Sequence, residues 1–142
     1  MIALGCDHAG YPLMQTVREY LDESGIPYTD FGADSTRPVD YPVYAHSVAE
    51  AVLAGRCDRG ILICGTGIGV SIAANRFHGV RCALCHDVFS AKAAREHNDA
   101  NILAMGGRVI GTGPALEVLR AFLETSFSGG ENHIRRIGML DQ

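Results

Sequence analysis

The sequence predicts a single α/β domain built on a doubly wound, five-stranded parallel sheet. Three observations predict it. Short apolar runs alternate with segments whose apolar residues recur at helical spacing. The clearest run, Gly60-Ile61-Leu62-Ile63-Cys64, is apolar on both faces, as a central parallel strand is. The 142 residues suffice for one compact domain, and no repeat, linker or low-complexity segment divides them.

The elements follow in order. Ile2–Cys6 is the first strand, closed by the polar turn Asp7-His8-Ala9-Gly10. Leu13, Met14, Val17, Tyr20 and Leu21 define a helix that Gly25 stops. Tyr28–Phe31 is a second, weaker strand, and residues 33–42, with Asp34, Ser35, Pro38, Asp40 and Pro42, are a loop. A helix from about Val43 to Ala54 turns Val48, Ala51 and Val52 inward. Gly60–Cys64 is the third strand, followed by Gly65-Thr66-Gly67-Ile68-Gly69 and a short helix to about Asn75. Val80–Cys85 is the fourth strand, Val88–Glu96 a helix, and Ala100–Met105 the fifth strand. Leu116, Leu119, Phe122 and Leu123 mark a last helix, from about Gly113 to Ser126. From Ser128 onward the sequence predicts a glycine-containing, basic tail.

Composition excludes several classes. With 47% hydrophobic and 20% charged residues the chain is not disordered. No apolar run approaches the roughly 18–20 residues that span a bilayer. Met1–Gly10 carries Asp7 and no basic cluster ahead of an apolar stretch, so it does not resemble a signal peptide. The net charge is −4, and no Lys/Arg block offers a nucleic-acid footprint. Local cations (Arg135-Arg136, with Arg95 and Arg108 elsewhere) suit a small anionic ligand better than a polymer. Five cysteines without an export signal predict reduced thiols and a cytoplasmic location.

Right-handed crossovers gather the loops that follow the strands at one end of the sheet, where ligands bind in such folds. That rule brings together Asp7-His8, Cys64–Gly69 and the loop after Cys85. Gly65-Thr66-Gly67-Ile68-Gly69 fits a loop whose amides converge on an anion at a helix start. It fits a plain strand-to-helix turn equally well. It is neither a Walker loop nor Gly-x-Gly-x-x-Gly. Cys64 sits directly before the loop, where a helix start favours thiolate. The competing reading is a buried packing cysteine, which is the expectation for Cys6 and Cys57.

Cys82-Ala-Leu-Cys85-His86 matches a haem-attachment pattern, but it lies in a predicted strand, where positions three apart face opposite ways. It lacks the further ligands zinc needs at matched spacing. His97-Asn98-Asp99, between a helix and a strand, is either solvated surface or a proton carrier near neutral pH.

In combination, four segments resemble ribose-5-phosphate isomerase B. They are Gly5-Cys6-Asp7-His8-Ala9-Gly10, Asp40-Tyr41-Pro42, Ile63–Gly69 with Ser71-Ile72-Ala73-Ala74-Asn75, and Arg95-Glu96-His97-Asn98-Asp99-Ala100-Asn101. The resemblance runs in order from about residue 1 to residue 140. The galactose-6-phosphate isomerase subunits of the lactose pathway belong to the same family.

The resemblance implies a Rossmann-like α/β subunit forming a homodimer, or a dimer of dimers, with no cofactor and no metal. The implied reaction interconverts ribose 5-phosphate and ribulose 5-phosphate. Cys64 matches the proton-abstracting thiol, and Val70 stands at or near the position where some members carry a glutamate base instead. Thr66 matches the residue assisting proton transfer, and the amides around Gly65, Gly67 and Gly69 match the enediolate hole. His97 matches the ring-opening residue, supplied with Asn98 by the partner subunit. Asp7 matches a ligand to the sugar hydroxyls, Tyr41 a pocket wall, and His8 and Arg108 phosphate contacts.

The tail departs from the family's Gly-Gly-Arg-His-x-x-Arg. Here the run is Gly129-Gly130-Glu131-Asn132-His133-Ile134-Arg135-Arg136. Alignment on the histidine puts Arg136 on the second phosphate arginine and Asn132 on the first. Alignment on the glycines puts Arg135 and Glu131 there. One phosphate arginine is absent either way. The same chemistry on a tetrose or hexose phosphate is therefore an alternative. Two others are a phosphate- or nucleotide-binding module, which Cys64 argues against, and a non-catalytic subunit, which Cys64, Thr66 and His97 argue against.

Overall fold

The computed structural model describes residues 1–142. The strands are β1 (Ile2–Cys6), β2 (Tyr28–Asp30), β3 (Arg59–Cys64), β4 (Cys82–Leu84) and β5 (Ile102–Gly106). They form one parallel sheet in the order β2-β1-β3-β5-β4. The helices are α1 (Tyr11–Glu23), α2 (Tyr41–Leu53), α3 (Ile68–Ala74), α4 (Val88–Glu96), α5 (Thr112–Glu124) and α6 (Glu131–Leu140). The predicted doubly wound, Rossmann-like single domain is the observed one.

Each face of the sheet has its own core, as the two-residue period of a strand requires. Ile61, Ile63, Leu103 and Met105 pack with Leu13, Met14 and Val17 of α1 and with Leu119 and Phe122 of α5. Leu62, Cys64, Ile102 and Ala104 face the other way, onto Val48 of α2 and Val70 of α3. Cys6 pairs in register with Ile63, which pairs with Met105. The chain therefore leaves β1, β3 and β5 at one level, and the three loops that follow meet.

Three features differ from expectation, and the strand order is new. α2 starts at Tyr41, not Val43, because Pro42 in its first turn has its φ preset for a helix and needs no N–H partner there. β4 is shorter than Val80–Cys85. It is an edge strand, and the Asn75 carboxamide occupies its open side, donating to the Cys82 carbonyl at 2.9 Å and accepting its N–H at 2.8 Å. β5, last in sequence, lies between β3 and β4. The basic tail is largely helix, α6, with no buried residue.

Candidate active site

Cys64 ends β3 and is buried. Its Sγ accepts the Gly67 N–H at 3.1 Å. An N–H aimed at sulfur complements a thiolate better than a thiol. Gly67, the residue before α3, has φ +77°, a left-handed conformation that glycine adopts without strain. The Thr66 hydroxyl oxygen, exposed, accepts the Ile68 N–H at 3.2 Å. The amides of Gly65, Thr66, Gly69 and Val70 have no acceptor in the chain. They are donors left over by the turn and by the first residues of a helix.

The loop after β1 lies beside this turn. Asp7 is buried, and its Oδ1 accepts the N–H groups of Ala9 (2.9 Å) and Gly10 (3.0 Å), leaving Oδ2 unused. His8 accepts the Val39 N–H on Nδ1 at 3.2 Å, so the neutral ring carries its proton on Nε2. After β5, the Gly107 N–H donates to the Cys64 carbonyl (2.8 Å) and the Arg108 N–H to the Gly65 carbonyl (3.0 Å). The Arg108 guanidinium lies against Gly65: a methyl group built there would stand 3.7 Å from Nη1. The Tyr41 ring covers Gly69, where a Cβ would stand 2.6 Å from its Cε1 and Cζ. Asp7, His8, Tyr41, Cys64, Gly65, Thr66, Gly67, Gly69 and Arg108 thus form one cluster.

His97 and Asn98 are not in it. They connect α4 to β5 and so lie at the opposite end of the sheet from Cys64. Strands of five or six residues at ~3.3 Å per residue separate those ends by roughly 17–20 Å. His97 instead stacks on His133 of α6, with ring centroids 4.6 Å apart and planes at 14°. Arg135 and Arg136 are exposed on α6 without an ion partner. The site residues form two groups at opposite ends of the sheet.

Arg95 does not fit the reading of local cations as anion ligands. It is buried and donates to Asp99 Oδ1 (2.8 Å) and to the carbonyls of Ala100 (2.6 Å) and Thr125 (3.2 Å). Val70, at the alternative base position, is buried in the core under α3.

The other thiols are packing groups. Cys82 and Cys85 belong to opposite cores. Burial raises the Cys6 thiol to about 12, with Asp30 adding to the effect, and the Cys85 thiol to about 11, with Asp87 adding. Burial also raises Cys82. Cys57 is buried.

His86, given no role by the sequence, accepts the Gly106 N–H on Nε2 at 2.8 Å and braces the end of β5. Its place directly after an apolar strand was the available signal. No three His, Cys, Asp or Glu side chains converge as a metal set. No helix is long and apolar enough to cross a membrane.

The fold and the loop cluster define an α/β enzyme of the doubly wound type, with a thiol set among unpaired loop amides. The chain belongs to the ribose/galactose isomerase family, whose model matches residues 2–140. It is 46% identical over 134 residues to ribose-5-phosphate isomerase B of Escherichia coli, covering 94% of this chain and 90% of that one. It is 45% identical over 131 residues to D-erythrulose-4-phosphate isomerase of Pectobacterium atrosepticum, covering 91% and 86%. Among solved structures, Clostridium thermocellum ribose-5-phosphate isomerase B superposes with a TM-score of 0.97 at 47% identity, over 99% of this chain and 94% of that one.

Proposed function

We propose that this chain interconverts ribose 5-phosphate and ribulose 5-phosphate through a cis-enediolate, with Cys64 as the base. The observation that carries the reading is the Cys64 sulfur, held 3.1 Å from the Gly67 nitrogen beside loop amides that lack acceptors. The reaction moves one proton from C2 to C1 and one from O2 to O1. A single base on one face of the enediolate performs the carbon transfer. The thiolate takes the C2 proton and, as a thiol, returns it to C1. The loop amides stabilise the oxyanion that forms meanwhile. Thr66 relays the proton between the oxygens, its hydroxyl hydrogen left free by the bond it accepts from Ile68. Asp7 takes sugar hydroxyls on Oδ2, Tyr41 walls the pocket, and His8 Nε2 and Arg108 bind the phosphate. Phosphate binding away from C1 and C2 supplies energy that positions the reacting carbons.

The sugar arrives mostly as a ring, and His97, with Asn98 beside it, opens it. Both lie too far from the Cys64 of their own chain, so they serve the site of a second copy, which also receives Arg136. This supports a homodimer with shared sites, and a dimer of dimers builds on the same unit. Exposed apolar side chains on α3 (Ile68, Ile72), the edge strand (Leu84) and the start of α4 (Val88, Phe89) suit such an interface. The five free cysteines suit the cytoplasm.

A second reading keeps the chemistry and changes the sugar. The missing tail arginine and the erythrulose-phosphate relative favour a four-carbon phosphate as the alternative. The test is a panel of aldose phosphates assayed for ketose formation, with and without chelator. Fastest turnover of ribose 5-phosphate, unaffected by chelator, is the expected result. A preference for the tetrose phosphate selects the second reading.

A further inference from the structure

Two pieces of the chain serve the partner's site on the reading above: they meet where His97 stacks on His133, and one further side chain joins them by hydrogen bonds. The loop His97-Asn98-Asp99 passes through Asp99 at φ +45°, a left-handed conformation that an aspartate keeps only where its surroundings hold it. Helix α6, which carries His133 and Arg136, buries no residue of its own.

Arg81, at the start of β4, reaches both. Its Nε donates to the carbonyls of Asn98 (3.1 Å) and Asp99 (3.2 Å), and its Nη2 to the Asp99 carbonyl (3.1 Å). The Asp99 carboxylate lies 3.7 Å from Nη2. Nη1 donates to Asp141 Oδ2, at the end of α6, at 2.7 Å. Asp99 in turn accepts from Arg95 at 2.8 Å, and Arg95 is buried and anchored on Ala100 and Thr125. A continuous line, Arg95–Asp99–Arg81–Asp141, therefore runs from the core to α6.

A cleft of about 430 Å³, lined by Asn75, Arg81, Cys82, Asn98, Leu140 and Asp141, lies beside the last link. The Arg81–Asp141 pair thus forms part of the cleft wall, partly open to solvent. A planar guanidinium with donors on several edges meets all of these acceptors at once, which a lysine ammonium cannot do.

We infer that Arg81 is a positioning residue: it sets the ring-opening loop and the phosphate-binding helix in fixed relation, with Asp141 as its hold on the helix. The inference rests on the assignment of His97 and Arg136 to a sugar phosphate. It divides the effects of two variants. Asp141→Asn loosens only the end of the helix, which the His97–His133 stack still touches, whereas Arg81→Lys also frees the loop carbonyls.

The test is steady-state kinetics on ribose 5-phosphate together with hydrogen exchange of the ligand-free chain. Asp141→Asn is expected to raise KM about two- to fivefold, the upper part of the range for a partly exposed ion pair, with kcat within about twofold. Amides of 131–140 should exchange faster, and the melting temperature should hold. Asp141→Glu, which keeps the carboxylate, should restore wild-type KM and exchange. Arg81→Lys should lower kcat on the cyclic sugar as well. Unchanged KM and unchanged exchange in Asp141→Asn would overturn the inference, as would a failure of Asp141→Glu to restore them. If the wild type is inert on ribose 5-phosphate, the substrate assignment falls, and exchange in 131–140 alone decides the tie.

Discussion

The Gly67 N–H donates to the Cys64 sulfur at 3.1 Å, across the turn that joins β3 to α3. The strand delivers the sulfur, the left-handed glycine turns its own amide back onto it, and the helix start leaves further amides unpaired. If this thiol is the base, Cys64→Ala loses about 10²–10⁴ in turnover. Sugar-phosphate binding and thermal stability should stay near wild type. A ketose-formation assay beside a thermal melt checks both, and turnover within about threefold of wild type would place the base elsewhere.

Gly67 and Gly69 predict opposite kinds of damage. A Cβ on Gly67 would stand 2.5 Å from Leu84 Cδ1 and 2.8 Å from the Met105 carbonyl carbon, at φ +77°. Gly67→Ala should cost roughly 2–4 kcal/mol, from left-handed strain plus a backbone clash. The nearest atoms to a Cβ on Gly69 belong to the Tyr41 ring, a side chain that can swing aside. Gly69→Ala should keep stability within about 1 kcal/mol and raise KM instead. Chemical denaturation of both variants separates the two cases.

His97→Asn should slow the cyclic sugar much more than an acyclic substrate, because ring opening precedes enolisation. Equal slowing on both would move His97 into the enolisation step. The topology adds a complementation test. Inactive Cys64→Ala and His97→Asn chains, mixed and re-associated, should regain partial activity, since one of the two heterodimer sites holds both intact residues. Confirmed heterodimers without activity would count against a shared site.

On the proposed reading, phosphate recognition rests on few cations. Arg108→Ala and Arg136→Ala should each raise KM for ribose 5-phosphate about tenfold or more, the effect of losing a charge-assisted bond of about 1.5–3 kcal/mol. Weak turnover of free ribose should change less. Asn132→Arg should lower KM if ribose 5-phosphate is the substrate and the histidine alignment holds. Indifference of both alanine variants would mean that the tail serves a different substrate end.

Alkaline pH should destabilise the fold through its packing thiols. Cys6 is raised by burial from an ordinary 9.0 to about 12, and Cys85 to about 11. Raised pKa values mean that the folded chain holds these protons longer than the unfolded chain. Their contribution is whole below pH 9 and is lost as pH rises through about 11–12. Denaturation midpoints measured across that window should fall, and less steeply in Cys6→Ala. Equal slopes would show that the Cys6 thiol titrates freely.

By itself the sequence determined the α/β class, most strand and helix positions, and the candidate base. These signals are local. An apolar run of β-branched and aliphatic residues makes β3 wherever it packs, and Cys64 is placed by its neighbours along the chain. The rule that loops after parallel strands share one end made the meeting of Asp7 with Cys64 legible too, whereas Arg108 came from the family resemblance and its level from the register of β5. The tertiary structure alone decided what depends on distant pairs. Nothing local to Ile102–Gly106 says that β5 inserts between β3 and β4. The helical period in Ile134, Ile137 and Arg135-Arg136 is too short beside its glycines to announce α6. Arg95 looked like a free cation until burial and three acceptors claimed it. Arg81, Asp99 and Asp141 are bound by charge across up to 60 residues, and a guanidinium's partners are chosen by packing geometry, which no spacing along the chain encodes.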